Sequence, residues 1–180
     1  MIRLLPCVPV RVHWPPVVRK ARFQQTARSI FMTLAARLAA MIGTTIERLS
    51  PELAAVFPPV ADDVFDAMPT VAHLEKLALM PGHALFVAIG GGVVVGQLLA
   101  MIQFQADRSP QLYIDNLGVA PPFKRQGVAR GLFEAAMVWG RDGGCEQVWL
   151  ATDVGNAEAR GFYASLGFTR EAADVYSGSL

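Results

Sequence analysis

Apolar and polar positions along this 180-residue chain fall into two rhythms, one suited to strands and one to helices. Residues 84–89 and 93–104 are short apolar runs on either side of Gly90, Gly91 and Gly92, which predicts a β-hairpin, strands two and three. Similar runs predict strand one over 44–49, strand four over 111–119 and strand five over 145–151. From residue 128 the period lengthens. Val128, Leu132, Ala135, Ala136 and Trp139 share one face of a helix that Gly143 and Gly144 stop. Val71, Leu74, Leu77 and Ala78 do the same in a shorter helix, set between Pro69-Thr70 and Pro81-Gly82. Ser50 followed by Pro51 starts another helix, which Pro58 and Pro59 halt. Residues 61–67 read as a loop or short helix. Asn156 is the expected N-cap of a last helix closed by Gly167. Residues 168–172 and 175–177 read as two short strands.

Composition narrows the class. A chain of 180 residues with 53% apolar content is long enough for one domain with a real core. The longest apolar stretch, 93–102, contains Gly96 and Gln97 and falls far short of the ~20 residues that cross a bilayer. No membrane span is expected. Cys7 and Cys145 form neither a disulfide framework nor a metal spacing, and His73 and His83 have no metal-ligand company, so no metal is expected. A reducing cytoplasm suits such a chain.

Charge is unevenly spread. Residues 1–40 hold seven arginines and lysines and no acid, while residues 41–180 hold nine basic and fifteen acidic residues, a net −6. The acidic part favours a cationic partner and argues against nucleic acid. The leader is rich in proline up to Pro16, and residues 23–42 have helical spacing. Three readings of it stand: a start placed too early, with Met32 or Met41 the true one; a targeting segment; or a surface helix. A poorly ordered or mis-assigned extension over 1–43 is the expectation.

The chemistry concentrates between residues 120 and 140. There, Lys124-Arg125-Gln126-Gly127-Val128-Ala129 joins strand four to the next helix. N–H groups at a helix start have no intrahelical partner, and the helix dipole adds about half a positive charge. Gly127 lets the main chain come close to a ligand, so the turn is a ready anion site. Two familiar phosphate loops are excluded. There is no GxxxxGKS or GxxxxGKT, and Val95 stands where a dinucleotide loop begun at Gly90 would need its third glycine. Neither GxSxG nor HExxH occurs, which leaves a hydrolase without support.

Downstream lie Asp153, Gly155, Asn156 and Arg160, then Phe162-Tyr163 and Leu166-Gly167-Phe168. Strand, basic turn, helix, strand and an Asn-led helix with this ending resemble the GNAT superfamily of acetyl-CoA-dependent N-acetyltransferases. The family turn has Gln or Arg, two variable residues, Gly, one variable residue, then Gly or Ala. Here Lys124 fills the first place and Ala129 the last. The resemblance covers about residues 44–177. It leans toward small-amine and aminoglycoside 3-N-acetyltransferase-like members, through the start of strand three, the Arg108-Ser109 loop, Tyr113-Ile114 and the Asp153/Gly155 loop. Asn116 and Asn156-Ala157 replace acidic residues found in aminoglycoside-modifying relatives.

The resemblance implies an α/β (α+β) fold over 44–180, with helices on both faces of a mixed, mostly antiparallel sheet of six or seven strands. Strands four and five splay apart, and acetyl-CoA lies in the gap. Leu117, Gly118 and Val119 would offer main-chain groups to its pantetheine arm, as a peptide adds to a strand edge. Lys124, Arg125, Gln126, Gly127, Val128 and Ala129 would hold the pyrophosphate, with Arg130 adding charge and Asn156 reaching the arm. Tyr163 would protonate the departing thiolate. Asp115 is the candidate base, and strict alternation along strand four puts it on one face with Leu117 and Val119. Asp115, Asn116 and Asp153 are the candidate acceptor contacts.

The implied reaction is direct acetyl transfer to a primary amine of a small cationic molecule, such as an aminoglycoside or polyamine, in a ternary complex. Two alternatives remain open: protein N-terminal or lysine acetylation, and a non-catalytic acyl-CoA-binding regulatory module. A homodimer is an expected assembly, since dimers are common in the superfamily.

Overall fold

A computed structural model describes residues 43–175 and 177–179, so the expected N-terminal extension, Gly43 apart, lies outside the described residues. Five strands form one sheet in the order β1-β2-β3-β4-β5: β1 (Thr44–Arg48), β2 (His83–Gly90), β3 (Val93–Gln103), β4 (Gln111–Val119) and β5 (Gln147–Leu150). The first three junctions are antiparallel and the last is parallel. Four helices accompany them: α1 (Pro51–Ala55), α2 (Val71–Ala78), α3 (Val128–Asp142) and α4 (Ala157–Ser165). This is the mixed α/β arrangement expected from the sequence.

Local chemistry accounts for the element ends. Ser50 Oγ accepts from the Leu53 N–H, and Thr70 Oγ1 from the His73 N–H, each capping a helix. Gly91 and Gly92 turn the hairpin with φ of 59° and 79°, the left-handed pair that a two-residue turn between twisted strands requires.

The sequence predicts more strand than forms. Residues 168–175 and 177 carry none, so among the described residues the sheet has five strands where six or seven are expected. Past Phe168 this tail holds Arg170, Glu171, Ala172, Ala173 and Asp174, residue types that pair poorly in sheets, and all of them are exposed. β5 is also shorter than expected. Cys145 belongs to the helix stop, its N–H donating to the Gly140 carbonyl.

The sheet is covered on both faces. Val128, Leu132, Phe133, Ala136 and Met137 of α3 pack on Phe86, Leu98, Ala100, Leu112 and Ile114. On the other face Ala54, Val64 and Leu74, from α1, α2 and the segment joining them, pack on Leu85, Val87 and Val94. That segment is tied to β3: the Val94 N–H donates to the Pro59 carbonyl, and the Ala61 N–H to the Val94 carbonyl. Val64, 2% exposed, is its plug in the core.

Two features of β4 open a space along its edge. Its ladder with β3 slips: Leu99 pairs with Asn116 but Ala100 with Ile114, leaving Asp115 as an extra, bulged residue. Its ladder with β5 covers only Gln111 to Ile114. Residues 115–119 therefore run on without β5 beside them, as the expected splay requires.

Gly118 is where the α1–α2 segment meets β4. A Cβ there would stand 2.2 Å from the Val64 carbonyl oxygen, a main-chain atom that cannot swing aside. Gly118→Ala is expected to lower stability by about 1–3 kcal/mol, as overpacking does. Gly155→Ala, at a position with nothing within 4 Å of the new Cβ, should stay within about 0.5 kcal/mol of the parent. Urea unfolding of both variants checks the contrast.

Candidate active site

The parting of β4 from β5 opens a cleft of about 770 Å³. β4 lines it with Asn116, Leu117, Gly118 and Val119, and the β4–α3 turn with Lys124, Arg125, Gly127, Ala129 and Arg130. From α4 come Glu158, Phe162 and Tyr163, with Asn156 at its cap. The α1–α2 segment adds Asp63, Val64 and Asp66.

The strand wall presents main chain. The Ala120 N–H donates to the Val95 carbonyl, toward β3. Hydrogen-bonding direction alternates along a strand, so the N–H and C=O groups of Val119 and Leu117 turn the other way, toward the gap. Their side chains pack against the α3 core. The wall can therefore pair with an extended ligand carrying amides, in the manner of an added strand.

The turn wall presents N–H groups and cations. Arg125 has φ 62° and Gly127 has φ 85°, both left-handed, which curls the main chain into a concave turn. Gly127 caps α3 without any side-chain hydrogen bond, so the first N–H groups of this 15-residue helix are left for a ligand. Gln126 braces the turn by donating to the Pro122 carbonyl at 2.6 Å. Lys124 reaches Glu158 at 2.8 Å, tying the turn to α4. Both side chains are solvated, so this ion pair contributes less than about 1 kcal/mol.

Tyr163 sits in an aromatic cluster with Phe133, Phe162 and Phe168, at centroid distances of 5.3–6.3 Å. Burial pushes its phenol above the usual value near 10, so it keeps its proton at neutral pH. Asn156 is an N-cap as predicted, its Oδ1 accepting from the Ala159 N–H at 3.0 Å.

Of the sequence-predicted site residues, Asn116, Leu117, Gly118, Val119, Lys124, Arg125, Gly127, Ala129, Asn156 and Tyr163 meet in this cleft. Gln126 and Val128 do not line it, Val128 being 3% exposed within the core. Asp115 and Asp153 lie outside the lining too. The expectation that Asp115 shares a face with Leu117 and Val119 is corrected. The bulge breaks the alternation and puts Asp115 on the opposite face, with Asn116. There it lies near Tyr113, whose phenol is raised first by burial and then by this carboxylate. Asp63 and Asp66 are carboxylates that do line the cleft. One sign of this was legible: Gln97 interrupts the apolar run 93–102, and it is buried against Asn116.

The model of the acetyltransferase (GNAT) family matches residues 46–168. The chain belongs to that family. As a GNAT acetyltransferase it uses acetyl-CoA as cosubstrate and acetylates an amine, and the wall of strand amides and the uncapped helix start suit the amide-containing arm and pyrophosphate of that molecule. Aminoglycoside N(6')-acetyltransferase type 1 of Salmonella typhimurium is 31% identical over 107 residues, 56% of this chain and 74% of that protein. An uncharacterized N-acetyltransferase of Mycobacterium tuberculosis is 31% identical over 137 residues, 76% of this chain and 84% of the other. The crystal structure of an aminoglycoside acetyltransferase from an uncultured soil metagenomic sample, in complex with sisomicin, superposes with a TM-score of 0.63 at 26% identity, covering 77% of this chain and 96% of that one. The likeness to aminoglycoside-modifying GNAT proteins thus stands, with the named Salmonella relative of the N(6') rather than the 3-N type. Among the described residues no helix is long and apolar enough to cross a membrane, and no group of three or more His, Cys, Asp or Glu could hold a metal.

Burial of Tyr163 has a consequence for stability. As pH rises past about 10, the phenol ionises first in the unfolded chain. The folded chain then holds more protons than the unfolded one, and stability falls with rising pH. Between pH 9 and 11 the urea midpoint should drop, and Tyr163→Phe should lessen the drop. Tyr113, shifted in the same direction, keeps part of it.

Proposed function

We propose that this GNAT acetyltransferase acetylates a primary amine on a small cationic substrate by direct attack in a ternary complex. The observation that carries the reading is one cleft holding two kinds of charge. Lys124, Arg125 and Arg130 belong to the turn after β4, and Asp63 and Asp66 to the segment between α1 and α2. The first group suits a pyrophosphate and the second an ammonium. The net −6 of residues 41–180 adds attraction for a cation. The Salmonella relative and the sisomicin-bound structure are named for aminoglycosides, which are polyamines of this description.

In this reading acetyl-CoA supplies a thioester whose sulfur leaves as a thiol of ordinary pKa near 8.5. The main chain of Leu117 and Val119 and the turn from Lys124 to Ala129 bind and orient it. Asn156, besides capping α4, borders the same space. Tyr163 holds a proton on Oη at neutral pH and is the acid for the departing sulfur. An alkylamine has a pKa near ~10.4, so having it neutral at pH 7 costs about 4–5 kcal/mol. Carboxylates that collect the cation raise its local concentration but favour its charged form, so the amine gives its proton to solvent water before it attacks. Asp115 and Asp153, outside the lining, add field rather than contact.

Calorimetry with acetyl-CoA and thiol release over sisomicin, spermidine and simple alkylamines tests the reading. Binding with turnover of a cation is the expected result, and failure to bind acetyl-CoA would sink it. Tyr163→Phe should lower kcat about 10²-fold, the low end of acid catalysis, with acetyl-CoA affinity kept. Gly127→Ala should do the reverse, since a left-handed residue with a Cβ costs about 1–2 kcal/mol and distorts the turn. An unchanged rate in Tyr163→Phe removes that residue from the chemistry.

A further inference from the structure

β3 buries one polar side chain that packing does not call for. Gln97, 2% exposed, stands among Val94, Val95, Leu98 and Ala100. An amide in such surroundings must be hydrogen-bonded or it costs stability. Its Nε2 donates to Asn116 Oδ1 at 2.7 Å. Asn116 Nδ2 donates in turn to Asp66 Oδ2 at 3.4 Å.

The direction of this chain is forced from its outer end. A carboxylate offers only acceptors, so Asn116 must turn its NH2 group to Asp66. The Asn116 oxygen then faces inward, and Gln97 must meet it with its own NH2. Read outward, the buried Gln97 anchors the Asn116 oxygen, which keeps the Asn116 NH2 group turned to the Asp66 carboxylate. The backbone of Asp66 is placed independently. Val64 plugs the core two residues before it, and Gly118 lets the segment lie directly on β4.

We infer that Asp66 is the carboxylate that receives the ammonium of the acceptor, and that Gln97, acting through Asn116, is its positioning residue. This rests on the proposed amine-acetylating reading of the cleft. Asp66 and Asn116 line the same cleft as Tyr163. Asp66 is exposed, so a soluble cation can reach it. A carboxylate has about four acceptor sites and Asn116 occupies one, so room remains for the three donors of an ammonium. A Gln97 that only satisfied the core would have no bearing on the affinity for a cation.

A double-mutant cycle on the full chain tests this, using Asp66→Asn, Gln97→Met and the pair. Calorimetry gives the Kd for sisomicin, spermidine and acetyl-CoA, and steady-state rates give KM and kcat for the amine. Asp66→Asn should weaken binding of the cations about tenfold or more, as loss of a charged hydrogen-bond partner does, with acetyl-CoA affinity kept. Gln97→Met should raise KM for the amine more than it lowers kcat. That effect should largely vanish in the Asp66→Asn background, because both changes act on one carboxylate.

Cation binding unmoved by Asp66→Asn overturns the assignment of Asp66. An equal Gln97→Met effect in both backgrounds overturns the positioning role. Asp66 is exposed, so its variant reports even if Gln97→Met fails to fold. A parent that binds acetyl-CoA but neither cation overturns the amine reading and this inference with it. A parent that binds no acetyl-CoA overturns the reading of the turn after β4.

Discussion

Main-chain groups of β4 that β5 never reaches set the rest of the structure in place. The parallel ladder stops after Ile114, and the next residue on β4 is the bulged Asp115. A bulge bends its strand and increases the local twist, which carries 116–119 away from the line of β5. β5 itself is only four residues long, so nothing restores the ladder further on. Buried N–H and C=O groups without partners are costly, so such a gap is tolerable only where water or a ligand can enter it. The cleft is therefore a result of the strand's own hydrogen bonding. The basic turn lies at its mouth because α3 starts where β4 ends.

Two glycines make that opening usable, and they do so in different ways. Gly127 supplies a left-handed residue, so the main chain can turn its N–H groups inward at the start of α3. Gly118 has an ordinary φ and supplies space instead, allowing the Val64 carbonyl to lie where a side chain would be. One glycine shapes the wall from within its own turn. The other admits a distant segment that brings Asp63 and Asp66 to the same cleft. The aromatic cluster around Tyr163 then fixes α4 against Phe133 of α3, so the acid candidate is held by packing rather than by hydrogen bonds.

What the sequence made legible is what depends on neighbours along the chain. The ends of β4, the Gly91-Gly92 hairpin, the Ser50 and Asn156 caps and the turn before α3 all rest on local spacing and turn chemistry, and they stand where the pattern put them. The face of Asp115 was not legible, because a bulge is a mismatch between two strands and neither sequence alone announces it. The tail past Phe168 read as strand by analogy with the family, although its charged and alanine residues give a sheet little to hold. Asp63 and Asp66 fall in a stretch that reads as a loop or short helix, since their place in the cleft depends on Val64 reaching the core and on Gly118 lying beneath it.

The same division runs through the proposed chemistry. On the proposed reading, pyrophosphate and amide recognition use main-chain groups from one nearly continuous stretch, 117–129. Such a half-site depends on backbone geometry and one glycine more than on side-chain identity, so it declares a reaction class. The acceptor half, on this reading, is assembled from Asp66, Asn116 and Gln97 on three separate elements, and it works through side-chain charge. Its carboxylates ride on a segment pinned by the Val64 plug, two hydrogen bonds to Val94 and the contact over Gly118. Exposed side chains on such a segment, Asp63 and Asp66 among them, can change with little disturbance to the sheet, whereas the turn after β4 cannot. On the proposed reading, the amine is chosen by the residues between α1 and α2, and the donor by those after β4.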